Sequence, residues 1–204
     1  MNKILELHQK WNNSKDGGVR ADLRGTNLQY ADLQYADLQY ADLQYTDLRD
    51  TNLRDANLRG TNLQYADLQY ADLQYADLQY ADLQYTDLQY ADLEYTDLRD
   101  ANLRGTNLRG ADLRGADLKW INWHETYGIK VYVAGLQSSR ENAQLTYLPS
   151  LDIVTTGCFQ DTWKALKERV KDVYKEDNPL IYKKYQLAIN YIEAQIEADK
   201  DESK

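Results

Sequence analysis

From Leu23 to Leu118 every fifth residue is leucine. The residues between follow a rule. From Ala21 to Trp120 the chain is twenty consecutive pentads without an insertion, each reading Ala or Thr, Asp or Asn, Leu, then Gln, Arg, Glu or Lys, then Tyr, Gly, Asp or Trp. A five-residue step turns an α-helix by about 500°, so successive leucines would wander round the axis and make no apolar stripe. On a flat strand five is odd, and the leucines would alternate between faces. A chain that bends once per pentad and coils, each coil stacked on the one before, turns every leucine toward a common axis.

The flanks follow other periods. Residues 2–13 space Ile4, Leu7 and Trp11 along one helical face and run into Gly17-Gly18, which predicts a short amphipathic helix closing the first coil. After Leu118 the pattern decays through Trp120, Ile121 and Trp123. IKVYVAGL (129–136) and AQLTYLPSLDIVTTG (143–157) read as strands or a hairpin, and Asp161 to Tyr174 as a helix with Trp163, Leu166, Val170 and Val173 on one side. Asn178-Pro179 suits the cap and first turn of another helix, with Ile181, Tyr185, Ala188, Ile192 and Ile196 inward. The tail EADKDESK reads as frayed. The expected division is a capping helix and linker over 1–20, a repeat domain over 21–125 and an α+β module over 126–204.

The tandem A(D/N)LXX pattern resembles the pentapeptide repeat family, over 100 of the 204 residues. The resemblance implies a mainly β fold, a right-handed quadrilateral β-solenoid with four pentads per coil. Leu and the small residue two before it would point inward and the other three outward. Twenty pentads would then make five coils, about 24 Å long at the usual β spacing. The C-terminal segment, with GLQSSREN and TWKALKERV, is similar to the α+β end of some phage and bacterial members. Stacking by twenty residues would align Tyr45, Tyr65 and Tyr85, then Tyr70 with Tyr90, then Tyr75 with Tyr95, within the range of offset ring stacking. Because Tyr resists positive φ, Gln-Tyr corners should be type I-like, and Arg-Gly corners such as Arg24-Gly25 could be type II.

Composition sharpens the question of function. Tyr occurs 18 times against one Phe, so an aromatic is chosen for more than core filling. The net charge of -9 lies in the middle: residues 1–20 carry +2, 21–120 carry -9 and 121–204 carry -2. Cys158 is the only cysteine, which excludes an internal disulfide and fits a reducing compartment. The N-terminus lacks an apolar signal core and no apolar run approaches the roughly 18 residues of a membrane span, so a soluble cytoplasmic protein is expected.

Fourteen Asp and six Asn precede the leucines. Such a rod can imitate duplex DNA, which carries about fourteen charges over roughly 24 Å, and the family resemblance implies that some members inhibit type II topoisomerases in this way. Asp77, Asp97 and Asp117 would stack on one face of such a mimic. The same short side chains can instead bond backbone amides at corners. The stacked tyrosines Tyr45, Tyr65, Tyr85, Tyr70, Tyr90, Tyr75 and Tyr95 are candidates for a protein contact. Arg49, Arg54 and Arg59, and again Arg99, Arg104, Arg109 and Arg114, form partial girdles beside tyrosines, but the negative shaft argues against binding nucleic acid. His8 and His124 lie at opposite ends of the repeat without metal-ligand spacing, Cys158 reads as a buried structural thiol, and Ser138-Ser139-Arg140 reads as a turn. Neither a phosphate-binding loop nor a dinucleotide fingerprint is present. The reading is a non-enzymatic scaffold without cofactor or metal. It would contact a protein through its Tyr faces or its C-terminal module, with a possible dimer through the C-terminal helices. The alternative is a DNA-mimicking topoisomerase inhibitor.

Overall fold

The computed structural model describes residues 2–136 and 144–202. The chain divides into two compact units, one running to Ile129 and the other starting at Lys130.

In the first unit the repeat coils with a period of twenty. Asp22 pairs in parallel with Asp42, and the step recurs up to Asn107 with Tyr127. Leucines from Leu23 to Leu118 are buried, and in the middle coils so is the small residue two before each. The pentad Ala66–Tyr70 shows why five residues suffice, because each backbone N–H has its own acceptor. Ala66 closes the turn onto the Leu63 carbonyl, Asp67 donates to Thr46, Leu68 to Asp87 and Tyr70 to Gln89. The Gln69 N–H faces no carbonyl and is taken by its neighbour's side chain, Asp67 Oδ1, at 3.2 Å. Where Thr replaces Ala inside, its hydroxyl is satisfied too: Thr46 donates to the Leu23 carbonyl and Thr86 to that of Leu63, both at 2.9 Å.

The corners differ from expectation. Tyr65, Tyr70 and Tyr75 have φ of 59°, 60° and 60°, and Asp50, Asp55 and Trp120 share the left-handed region. With positive φ at the third turn residue and Ala66 N–H bonded to Leu63, the Gln-Tyr corners are type II, as the Arg-Gly ones are. The reason is the coil itself. The Tyr N–H must reach the coil above while the next residue closes the turn, and that pair of demands outweighs a preference of about 1–2 kcal/mol per residue.

Helix α1 (Asn2–Asn12) precedes the first coil. Its best-buried side chain is not Ile4 or Trp11, which are 38% and 37% exposed, but His8, at 0%. Trp11 stacks on the His8 ring at 5.6 Å and meets Tyr40 edge-on at 6.5 Å, so it covers the histidine from outside.

The second unit is a four-stranded antiparallel meander, β1 (Tyr132–Gly135), β2 (Gln144–Leu148), β3 (Ile153–Thr156) and β4 (Phe159–Asp161), packed with α2 (Trp163–Tyr174) and α3 (Pro179–Glu202). Its core joins Leu145 and Val154 to Leu166, Val170, Ala188, Ile189 and Ile192. Asp161 ends a strand rather than opening a helix. The helix starts two residues later because the Thr162 hydroxyl caps it, accepting from Ala165 N–H at 3.2 Å. Asn178 caps α3, accepting from Ile181 N–H at 3.2 Å. Val173 is 40% exposed, and Ile189 takes a core place that the spacing had not assigned. The residues from Glu197 to Glu202, expected to fray, continue α3. Cys158 is exposed rather than buried, since it sits in the tight β3–β4 turn beside Gly157 at φ 55°. Ser138, Ser139, Arg140 and Ala143 lie outside the described residues.

Candidate interaction surface

The outward positions of the repeat assemble into columns. Tyr45, Tyr65 and Tyr85 stack with centroids 5.1 and 5.2 Å apart, Tyr70 on Tyr90 at 5.2 Å and Tyr75 on Tyr95 at 5.1 Å, all within 10° of parallel. Stacking does not hide them: Tyr85 is still 41% exposed, against 72% for Tyr30. Each offset stack contributes about 0.5–1.5 kcal/mol, so a ring stacked on both sides offsets its own corner strain.

What ends each column was not apparent in the spacing. The rings of Tyr40, Tyr85, Tyr90 and Tyr95 lie over Gly60, Gly105, Gly110 and Gly115 of the next coil, where an added Cβ would come within 2.5–2.6 Å of the ring. Close approach of the ring, rather than φ, is what glycine serves there, since tyrosine adopts the same φ elsewhere. Where Asp55 or Gly60 leaves a corner without a ring, the preceding arginine fills in. The Arg54 guanidinium lies 5.2 Å from the centroid of Tyr75, and that of Arg59 4.8 Å from Tyr80. The sequence carries the rule: in the repeat Gln precedes Tyr, with Glu94 before Tyr95 the exception, and Arg precedes Asp or Gly.

Between the corners run the Asp and Asn side chains. Asp77, Asp97 and Asp117 do stack in register. Their Oδ1 atoms accept the N–H of Gln79, Arg99 and Lys119 at 2.9, 3.1 and 3.3 Å, the same corner duty performed by Asp67. Two of the three are also clasped by cations, Asp97 by Arg99 at 2.5 Å and Asp117 by Lys119 at 2.7 Å. At Asp97, burial alone would raise the pKa, but the Arg99 and Gln79 hydrogen bonds bring it below the usual carboxylate range. At Asp47 and Asp112 the bond from the neighbouring arginine is the leading cause of the same lowering. Asp67 moves the other way, raised by burial and by Asp87 and Asp47 beside it. The most negative side is a different one. The pentads containing Asp32, Asp55, Asp72, Asp92, Glu94 and Asp112 hold six carboxylates against Arg54 and Arg114, net -4, while the Asp77 side sets five against three cations, net -2. In chain order Asp72 lies between Tyr70 and Tyr75, and Asp92 between Tyr90 and Tyr95, so ring columns bracket this acidic side.

Among the described residues no group of three or more His, Cys, Asp or Glu is placed to hold a metal ion. His124 is exposed beside Glu125 at 3.5 Å, and His8 is buried where α1 meets the first coil. No described helix is long and apolar enough to cross a membrane.

The model of the pentapeptide repeats matches residues 19–55, 51–89 and 81–119 in eight copies, leaving 120–204 outside. A solved pentapeptide repeat protein from Nostoc Pcc 7120 is 35% identical, covering 61% of this chain and 86% of that one, with a TM-score of 0.34. Another, from the Arabidopsis thaliana thylakoid lumen, is 29% identical over 52% of this chain and 70% of that one, with a TM-score of 0.37. Full-length QnrB1, a plasmid-mediated fluoroquinolone resistance protein, is 17% identical over 54% and 76%, with a TM-score of 0.31. No curated protein matches the chain.

Proposed function

The chain belongs to the pentapeptide repeat family, and from that premise we propose that it is a non-enzymatic scaffold, a capped rod of five coils that docks a protein partner on its tyrosine columns. The carrying observation is that rings already stacked on one another remain about half exposed and bracket the most acidic side of the shaft. Rigid aromatics lose little entropy on binding, and the chain's own Arg54 and Arg59 show how a guanidinium seats on these rings. A cytoplasmic setting belongs to the same reading, supported by the single cysteine. So does a second copy pairing through α3, where Leu180, Leu187 and Tyr191 are exposed. The test is affinity capture with the full chain and with a Tyr75→Ser/Tyr95→Ser variant confirmed folded by its melt. The reading expects a partner retained by the first and lost by the second. Equal capture by both would contradict it.

The second reading, a DNA mimic acting on a type II topoisomerase, is favoured by the net -4 side. A supercoiling assay separates the two readings. Inhibition by the parent that disappears with Asn at Asp72, Asp92 and Asp112, or at Asp77, Asp97 and Asp117, would establish the mimic. The scaffold reading expects no inhibition.

A further inference from the structure

His8 is fully buried where α1 meets the first coil. Its Nδ1 accepts the N–H of Ala21 at 3.0 Å. In later coils the equivalent N–H closes a turn, as Ala41 does onto the Leu38 carbonyl, but no pentad precedes Ala21 and the imidazole supplies the missing acceptor. An accepting Nδ1 means a neutral ring with its proton on Nε2, and that atom is buried without a hydrogen-bond partner. We propose that His8 is an acid-sensitive latch: neutral, it fastens α1 to the end of the shaft, and when it takes up a proton the latch opens and α1 releases the first coil.

The chemistry is a change of one acceptor into a donor. A proton on Nδ1 would face the Ala21 N–H, leaving two donors opposed in a dry site and an imidazolium without solvent. Its surroundings decide the direction. Burial acts most strongly and lowers the pKa; Asp37 of the first coil and the Gln39 backbone pull upward, Arg20 of the linker pushes down, and the outcome lies below the ordinary value of 6.5. From its own helix the ring is covered by Trp11. Because the folded pKa is lowered, the released state binds the proton more readily. The latch is therefore whole above about pH 6.5 and weakens as pH falls toward the folded value. The carboxylates with lowered pKa titrate below that window, so the first loosening on mild acidification belongs to the end of the shaft, not its middle.

Amide hydrogen exchange of the full chain at pH 7.5 and 5.0, corrected for intrinsic rates, tests the latch. Residues 2–23 should lose protection at the lower pH while residues 41–118 keep theirs. A His8→Asn variant keeps an acceptor that does not titrate, and its 2–23 segment should show no such loss. Unchanged protection in the wild type, or an equal loss in the variant, overturns the proposal. If the variant does not fold, NMR titration of the His8 ring in the wild type decides alone: a pKa below 6.5 supports the latch, and one at or above 6.5 contradicts it.

Discussion

At the scale of single residues, each pentad position answers one backbone demand. The Asp or Asn answers the N–H two residues on, and an amide oxygen serves as well as a carboxylate: Arg54 bonds Asn52 at 3.1 Å as Gln74 bonds Asp72 at 3.0 Å. Asp72→Asn should therefore melt no lower than the parent. Asp72→Ala orphans a half-buried donor and should cost about 1–3 kcal/mol, read from denaturant midpoints. A second contrast concerns glycine. Gly25→Ala meets no atom within 4 Å and bears only the φ penalty of about 1–2 kcal/mol. Gly105→Ala must also displace the Tyr85 ring, so it should lose at least about 1 kcal/mol more by thermal melting. Equal losses would mean the ring is not held on the glycine.

Among elements, the tyrosine column is a unit that the pentad alone does not display. Tyr65→Ala breaks the stacks with Tyr45 and Tyr85 and should cost about 1–3 kcal/mol, measured by chemical denaturation. The leucine spacing required only a chain that bends once per pentad and coils; the twenty-residue register of these rings followed from the family resemblance, which implies four pentads per coil. The corner type could not be read from the sequence, since tyrosine's own preference points to type I and only the hydrogen bonds between coils reverse it. In α1 the apolar spacing found the helix but not its anchor, because the group that the end of a coil needs is an acceptor rather than an apolar side chain. Thr162 and Cys158 repeat the lesson. Their places follow from a cap and a two-residue turn, local geometry that helical periodicity passes over.

For the molecule as a whole, charge sets the response to acid. Asp22, held at about 2 by its hydrogen bonds from Arg24, and Asp47, Asp97 and Asp112 have folded pKa values below their unfolded ones. Their contribution is fully present above the usual carboxylate range and lost as pH falls through the lowered values; Asp67, raised, works in the opposite sense. These pairs are largely exposed, so melts should decline modestly below about pH 4, beneath the window in which His8 acts. The charge imbalance toward the middle was plain in the composition, but which side carries it depended on folding the pentads into columns. That side, with its flanking rings, is where the proposed partner would dock. Hydroxyl-radical footprinting of the full chain, free and bound to the partner it captures, tests this most directly. Tyr70, Tyr75, Tyr90 and Tyr95 should be protected in the complex, whereas protection confined to residues 130–204, with these four rings as reactive as before, would contradict it.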